Sequence, residues 1–326
     1  MKISIPRVSL TFLPTPVTLL ENLSRCIGGP RIFIKRDDLT GLAGGGNKVR
    51  KLEFLIADAL ARNADTVLTV GAAQSNHCRQ TAAAAARHGL RCILVLRGHP
   101  PRETTGNLLL DFLLGAEVRW SGKRGREEVM QEIVAAEREA GRNPYPIPLG
   151  GSTPLGAVAY ALALEELLNQ SSVDFDRIFF ASSSGGTQAG LVAGARLLGY
   201  RGEIFGISVD EPLGDLQEVV ADIATGTLRL LGDPRSFGSD EIIASDEYLG
   251  EGYGIMGTKE RQAIDLFAQA EGILLDPVYT GRAAAGMIDL IHRGVVGKEE
   301  NVLFWHTGGT PALWAYAEQL VSGRSP

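Results

Sequence analysis

"RIFFASSSGGTQAGLVAGARLLG", Arg177 to Gly199, decides the fold. An apolar run of strand-forming residues stops at serines and two glycines, and a helical pattern then runs to a closing glycine. The same order recurs on both sides of it. "TVLTVGA" (Thr66 to Ala72) reads as a buried strand, and "HCRQTAAAAARHG" (His77 to Gly89) as an alanine-rich helix. "RCILVLR", "EVRWS", "EIFGISVD" and "NVLFWHTGG" read as further strands, and "YPIPLGG" closes the first block. "GNLLLDFLLGA", "KRGREEVMQEIVAAEREAG", "TPLGAVAYALALEELL" and "PALWAYAEQLV" read as helices, with Pro154 placed where a helix start tolerates it.

Such alternation implies parallel sheets covered on both faces, with ligands beyond the carboxyl ends of the strands. Three glycine-bearing loops occupy that place: Gly71 to His77, Ser182 to Thr187, and His306 to Thr310. There is no internal repeat, low-complexity segment or obvious linker. The expected fold class is α/β, with two domains that share a cleft.

Composition excludes several functions. The 326 residues are 44% hydrophobic and 21% charged, and the net charge is −6. No lysine or arginine block stands out, so no nucleic-acid partner is expected. Three cysteines without a CxxC pair argue for a reducing compartment and against structural zinc. "MKISIPRVSLTFLPTP" lacks a signal-peptide pattern, and no apolar run is long enough to span a membrane. The expected place is the cytoplasm, with no membrane partner.

The Ser182 loop opens a helix, so its amides and the helix dipole make an anion site. Ser182, Ser183, Ser184 and Thr187 add hydroxyl donors. No lysine completes a Walker A motif, and "GGTQAG" does not fit a dinucleotide fingerprint. A hydroxyl-rich cup of this kind suits one phosphate monoester; the competing reading is a tight turn with capping serines. Ser75, Asn76 and His77 likewise begin a helix, where a substrate carboxylate or a simple N-cap would be at home.

"AGGGNKVRKLEFL" (Ala43 to Leu55) then sets a lysine behind three glycines. Pyridoxal phosphate has one phosphate and one aldehyde, and the aldehyde requires a neutral lysine amine. Burial and a helix start both disfavour the ammonium form. Lys48 fits this better than Lys35, Lys51 or Lys123, and Lys51 reads as a plain surface residue. The glycines read as a close backbone approach beside the cofactor.

With these residues in hand, the sequence resembles the pyridoxal-phosphate enzymes of fold type II, the tryptophan synthase β-like group. Within it, the resemblance is to the branch of D-cysteine desulfhydrase and 1-aminocyclopropane-1-carboxylate deaminase. "IFIKRDDLTGLAGGGNKVRKLEFL", "GAAQSNHCRQTAA", "SSSGGTQAG", "EGYGI", "LLDPVYTGRA" and "HTGGTPALWAY" carry it across nearly the whole chain.

The resemblance implies open, mostly parallel twisted sheets with the cofactor between two domains. Residues 1–47 and 155–326 would form the large cofactor-binding domain and 48–154 the small one. Lys48 would be the Schiff-base lysine and the base for the substrate's α-proton. Asn76 would hold the cofactor's ring hydroxyl, and Ser184, Gly185, Gly186 and Thr187 its phosphate. Ser75, with Asn76 and His77, would take the substrate carboxylate. Tyr253 and Tyr279 would face the substrate, Tyr279 first in line to assist the leaving group. A small amino-acid substrate and a homodimer are implied as well.

Deaminases of the branch carry glutamate after the "DPVY" tyrosine and leucine after the last motif's histidine. Here the residues are Thr280 and Thr307, as in the desulfhydrases. A carboxylate keeps the pyridine nitrogen protonated and the ring a strong electron sink; a threonine hydroxyl gives a weaker one. Thr307 is the expected partner of the ring nitrogen. The expected reaction is α,β-elimination from D-cysteine, with L-cysteate desulfonation and cyclopropane ring opening as alternatives. A nucleotide-binding protein and a non-enzymatic carrier are the readings from other classes.

The remaining prominent residues read as structural. His88, His99 and His292 lack metal-ligand partners at useful spacing, His306 starts a glycine loop, and Cys78 packs on a helix face. Trp120, Trp305 and Trp314 read as core or rim residues.

Overall fold

The apolar runs pair into two sheets in the computed structural model, which describes residues 4–322. The strands are β1 (Val17–Leu19), β2 (Arg31–Arg36), β3 (Thr66–Gly71), β4 (Arg91–Leu96), β5 (Glu117–Trp120), β6 (Pro144–Ile147), β7 (Arg177–Ser182), β8 (Glu203–Ser208), β9 (Ala244–Ser245) and β10 (Asn301–His306). One sheet has the order β1-β2-β10-β7-β8-β9, with β1 antiparallel and the other pairs parallel. The other has the order β5-β4-β3-β6 and is wholly parallel. The strands of the second sheet all lie within 48–154, and those of the first all lie outside it.

Burial follows from this layering. β3 is buried at every position, and β4, β7 and β10 at every position but the first, because helices cover both faces. Alternate residues of one strand enter opposite cores. Phe179 packs with Phe267 and Met287 under the helices Thr258–Glu271 and Thr280–His292. Phe180 packs with Tyr160 and Leu191 under the helices Pro154–Gln170 and Gly186–Leu198. In the smaller sheet Val67 and Leu68 divide in the same way.

The helix Asn47–Ala61 belongs to both halves. Leu52, Leu55 and Ile56 join the core of the four-stranded sheet, while Phe54 joins that of the six-stranded one. Its first residues therefore stand where the two sheets meet. β3 hands the chain to β4 on one side while β6 lies on the other, and β7 is likewise flanked by β8 and β10. Crevices at the carboxyl ends of such strands are where open α/β sheets take ligands.

Several details depart from the sequence-based reading. "PALWAYAEQLV" is a 3-10 helix, Thr310–Tyr316, followed by a short α-helix, Ala317–Val321, because Pro311 starts a tight turn. Trp314 is 62% exposed, so it is a surface residue. Strands β1 and β2, and the helices Leu213–Leu230, Thr258–Glu271 and Thr280–His292, had no counterpart in that reading. Met1 to Ile3 of the N-terminal stretch lie outside the described residues. Among the described residues no helix is long and apolar enough to cross a membrane, and no cluster of His, Cys, Asp and Glu suits a metal.

Candidate active site

The loops after β3, β7 and β10 converge on one cavity. Lys48, Ser75, Asn76, His77, Ser184, Gly185, Gly186, Thr187, Tyr279 and Thr307 all line it. Tyr253 does not, but its hydroxyl lies 2.6 Å from that of Tyr279, and the rings meet edge to face. Asn47, Lys51, Leu149, Gly150 and Ala181 also line it, and the sequence-based reading had given none of them a part in the site.

The glycines before Lys48 touch protein, which corrects the expectation that they approach the cofactor. None of Gly44, Gly45 and Gly46 lines the cavity. Gly45 has φ +68°, and a side chain there would collide with the Asp38 carbonyl. Gly46 has φ +126°, and a Cβ would lie 2.6 Å from Gln80 Nε2 and 3.2 Å from the Thr307 carbonyl. The turn is clamped from three sides: Gly46 N–H donates to Asp37 at 3.0 Å, Asn47 N–H to Thr307 at 2.9 Å, and Arg79 Nη2 to Gly45 at 2.7 Å. Only glycine reaches these dihedrals without strain. The result is a fixed spacing between the Lys48 helix and the Thr307 loop.

Four lysines competed for the role of nucleophile, and their surroundings separate them. Lys35 is fully buried and bound to Glu166 at 2.6 Å and the Thr15 carbonyl at 2.8 Å, so its amine is occupied. Lys123 is exposed. Lys48 is half-buried and faces the cavity, with its Nζ close to Gly150. Desolvation lowers its pKa to about 8, against the opposing pull of Asp210. Roughly a tenth of Lys48 is thus a neutral amine near pH 7, against well under one part in a thousand for an ordinary lysine.

Lys51 is not a surface residue. It is 1% exposed, and its Nζ donates to the Gly150 carbonyl at 3.2 Å and to Ser152 Oγ at 3.3 Å. Burial and the neighbouring Lys48 hold its pKa well below the usual lysine value. A buried amine beside a cup of donors suits a phosphate, whose charge would restore its proton.

The cup itself is built by Ser152, Ser184 and Gly186. Ser152 Oγ lies 2.8 Å from Ser184 Oγ and accepts from Gly186 N–H at 3.2 Å. A Cβ on Gly186 would come within 2.6 Å of Ser152 Oγ and 2.9 Å of Lys51 Nζ. Gly185, at φ +76°, turns the strand into the helix. Thr187 Oγ1 accepts from Asn47 Nδ2 at 3.0 Å, leaving its own proton free to donate. Ser183 departs from the expected set of phosphate donors, since its hydroxyl donates to Asp210 Oδ2 at 2.9 Å.

On the opposite wall Asn76 is oriented by a residue the sequence did not single out. Asn107 Nδ2 donates to Asn76 Oδ1 at 2.9 Å, which leaves the Asn76 amide nitrogen as a donor. Ser75 is the N-cap of the helix Asn76–Arg87, accepting from Cys78 N–H at 3.2 Å, and it also lines the cavity. The capping role and a carboxylate-binding role coexist, because the cap occupies a lone pair and not the hydroxyl proton. The His77 ring turns back to Thr69 Oγ1 at 2.9 Å, and burial holds its pKa well below the usual value, so it stays neutral.

The two threonines part company. Thr280 is 1% exposed, and its hydroxyl donates to Asp276 Oδ1 at 2.8 Å at the start of the helix Thr280–His292. Thr307 lines the cavity and Thr280 does not. His306 is structural: its Nε2 lies 3.0 Å from the Leu274 carbonyl, and its Nδ1 accepts from Gly308 N–H at 3.2 Å. Tyr279 and Tyr253 both have pKa values raised by burial, so both phenols hold their protons. Arg282 fixes the Tyr253 loop, donating to Gly252 at 3.2 Å, Ile255 at 2.8 Å and Val209 at 2.8 Å.

A lysine with a depressed pKa, a cup for one phosphate monoester and a positioned amide donor match the pyridoxal-phosphate pattern. The chain belongs to the pyridoxal-phosphate dependent enzymes, whose family profile it matches over residues 8–308. It is 43% identical to D-cysteine desulfhydrase of Klebsiella pneumoniae (strain 342), over 97% of each chain. A crystal structure of an ACC deaminase homologue superposes with a TM-score of 0.90 at 42% identity, covering 98% of this chain and 96% of that one. A pyridoxal 5'-phosphate-dependent aspartate racemase shares the fold, with a TM-score of 0.67 at 17% identity over 90% of each chain. The protein is therefore a fold type II enzyme whose cofactor is pyridoxal 5'-phosphate.

Proposed function

We propose that this enzyme is a D-cysteine desulfhydrase, converting D-cysteine and water to sulfide, ammonia and pyruvate by α,β-elimination. The observation that carries the reading is that, among the described residues, no carboxylate lines the cavity, while Thr307 does and would offer its hydroxyl to a ring nitrogen. That favours the weaker electron sink, sufficient for a thiol leaving group. The full-length relationship to a desulfhydrase supports it.

When bound, the cofactor draws electrons from the substrate's α-carbon. The protein's own residues do the rest. Lys48 would hold the cofactor through its aldehyde, and its neutral amine would take the proton from Cα. Ser75, with the Asn76 and His77 backbone at the helix start, holds the substrate carboxylate. Asn76 would donate to the cofactor's ring hydroxyl oxygen, and Thr307 to its ring nitrogen. Ser184, Gly185, Gly186 and Thr187 would hold the phosphate, joined by Lys51 and Ser152. Tyr279, hydrogen-bonded to Tyr253, stabilises the charge that develops on the departing sulfur.

We further infer a large domain of 1–47 and 155–326 and a small domain of 48–154, a homodimer, and a cytoplasmic location. Three unpaired cysteines support a reducing compartment, and exposed Leu109, Phe112 and Leu113 on one helix support self-association. Light scattering on the holoenzyme tests the dimer.

The purified enzyme should release sulfide and pyruvate in equal amounts from D-cysteine. A panel with L-cysteine, L-cysteate, D-serine, β-chloroalanine and aminocyclopropane carboxylate decides the substrate. Sulfite from L-cysteate as the faster reaction, or 2-oxobutanoate from the cyclopropane, would replace this assignment.

A further inference from the structure

The cavity is unevenly charged. Lys48 and Lys51 are the amines that line it, and among the described residues no acidic side chain does. Asp276 stands behind the wall, its Oδ2 accepting from Tyr279 N–H at 2.9 Å, and so does Asp210, two residues beyond the end of β8. Its Oδ2 accepts from Ser183 Oγ at 2.9 Å, and Ser183 lines the cavity. Its Oδ1 is buried and makes no hydrogen bond among the described residues. Lys48, Tyr253 and Tyr279 all lie within reach of the Asp210 charge. Arg126 and Glu211 also face Asp210, and Arg126 is itself engaged by Glu127 at 3.1 Å.

Ser183 has one hydroxyl proton and gives it to Asp210, so it presents lone pairs to the cavity. A neutral thiol or hydroxyl on the substrate's β-carbon can donate to those lone pairs. A sulfonate or carboxylate cannot, and it keeps its charge at every working pH. With Lys51 reserved for the phosphate and Lys48 for the aldehyde, the cavity would offer no further lysine to a second anion. Burial raises the Asp210 carboxyl above its ordinary value, with the Ser183 hydrogen bond, Arg126 and Lys48 opposing; when ionised behind one wall of a site shielded from water, it is felt strongly by a like charge.

We propose that the Ser183–Asp210 pair is a specificity element that rejects amino acids bearing an anionic β-substituent. This deepens the desulfhydrase reading and rests on it for the identity of the neutral β-group.

The test reads binding, not turnover. The holoenzyme is titrated with D- and L-serine and with D- and L-cysteate, following the cofactor absorbance band. The wild type should bind serine more tightly than cysteate of the same handedness. Asp210→Asn keeps an acceptor for Ser183 but removes the charge, and should narrow that ratio at least about tenfold, with serine affinity changing less than about threefold. Asp210→Glu should restore the discrimination. Asp210→Ser serves as a second neutral variant should asparagine not be accommodated. An unchanged ratio in the neutral variants, an equal loss for both ligands, or no discrimination by the wild type would overturn the proposal. Failure to release sulfide from D-cysteine would sink the desulfhydrase reading yet leave this comparison readable.

Discussion

Asn107 Nδ2 donates to Asn76 Oδ1 at 2.9 Å, and the same nitrogen donates to the Gln74 carbonyl at 2.9 Å. This pair decides which end of the Asn76 amide is left to the cavity. Asn107→Asp replaces the donor with an acceptor and should turn Asn76 around, presenting a carbonyl to the cofactor's ring hydroxyl. The expected result is a shifted cofactor absorbance band and about tenfold weaker cofactor binding, in line with the loss of one charge-assisted hydrogen bond. Asn107→Asp with an unshifted band and unchanged affinity would remove Asn107 from the positioning role.

Lys48 and Lys51 should fail in different ways. Lys48→Ala is expected to be colourless, to resist borohydride fixation of cofactor, and to lose turnover by at least about a thousandfold. Lys51→Met should still form the lysine link but bind cofactor about ten- to a hundredfold more weakly, with activity returning at high cofactor concentration. Equilibrium dialysis and absorbance spectra separate the two. Full turnover by Lys48→Ala would refute the mechanism.

The Lys48 pKa predicts a pH profile for cofactor capture. Burial lowers it from 10.5 to about 8, so the neutral amine predominates above about pH 8 in the folded protein. The rate at which apoenzyme takes up pyridoxal phosphate should rise with pH, pass half its limit near 8 and level off by about pH 9. Continued rise to pH 10 would mean an ordinary, solvated lysine.

Gly46→Ala should be much worse than Gly89→Ala. Gly46 meets Gln80 Nε2 at 2.6 Å with φ +126°, whereas Gly89, at φ +67°, has nothing within 4 Å. The expected losses are about 3 kcal/mol or more for Gly46 and about 1 kcal/mol for Gly89, read from urea unfolding of the apoenzyme. Equal losses would mean that the turn relaxes away from Gln80.

Asp111 gives a stability prediction with a definite sign. It is fully buried, and desolvation raises its pKa to about 8 despite the opposing charge of Arg79. The unfolded state releases this proton near the ordinary carboxylate value and the folded state near 8. Between those limits the folded state binds more protons, so this group's contribution falls as pH rises. Asp111→Asn should therefore stabilise the protein more at pH 9 than at pH 6, measured as the difference in Tm from wild type. A difference independent of pH would mean that the carboxyl titrates normally.

Much of the architecture was legible because its signals are local. β7 ran into the Ser182 turn, and the helix Gly186–Leu198 followed, as the run from Arg177 to Gly199 required. Elements without such punctuation were missed. β1 has three residues, and the helix Thr280–His292 begins at a side-chain contact with Asp276 that no spacing rule flags. Lys51 lies one turn beyond Lys48, and the sequence offered nothing to set it apart from a plain surface residue. It is buried because the loop Leu149–Gly151, distant in sequence, closes over it.

The sequence by itself determined the alternation of strands and helices, the three loops at strand ends, and the preference for Lys48 among the lysines. These depend on runs of neighbouring residues and on the chemistry of a single amine. Tertiary structure alone decided what the glycines touch, that Lys51 joins the cup of Ser152, Ser184 and Gly186, that Asn107 orients Asn76, and that Ser183 turns to Asp210. Each of those joins residues at least 27 positions apart or from different elements. Only the packing of two sheets against one shared helix brings them within hydrogen-bonding range.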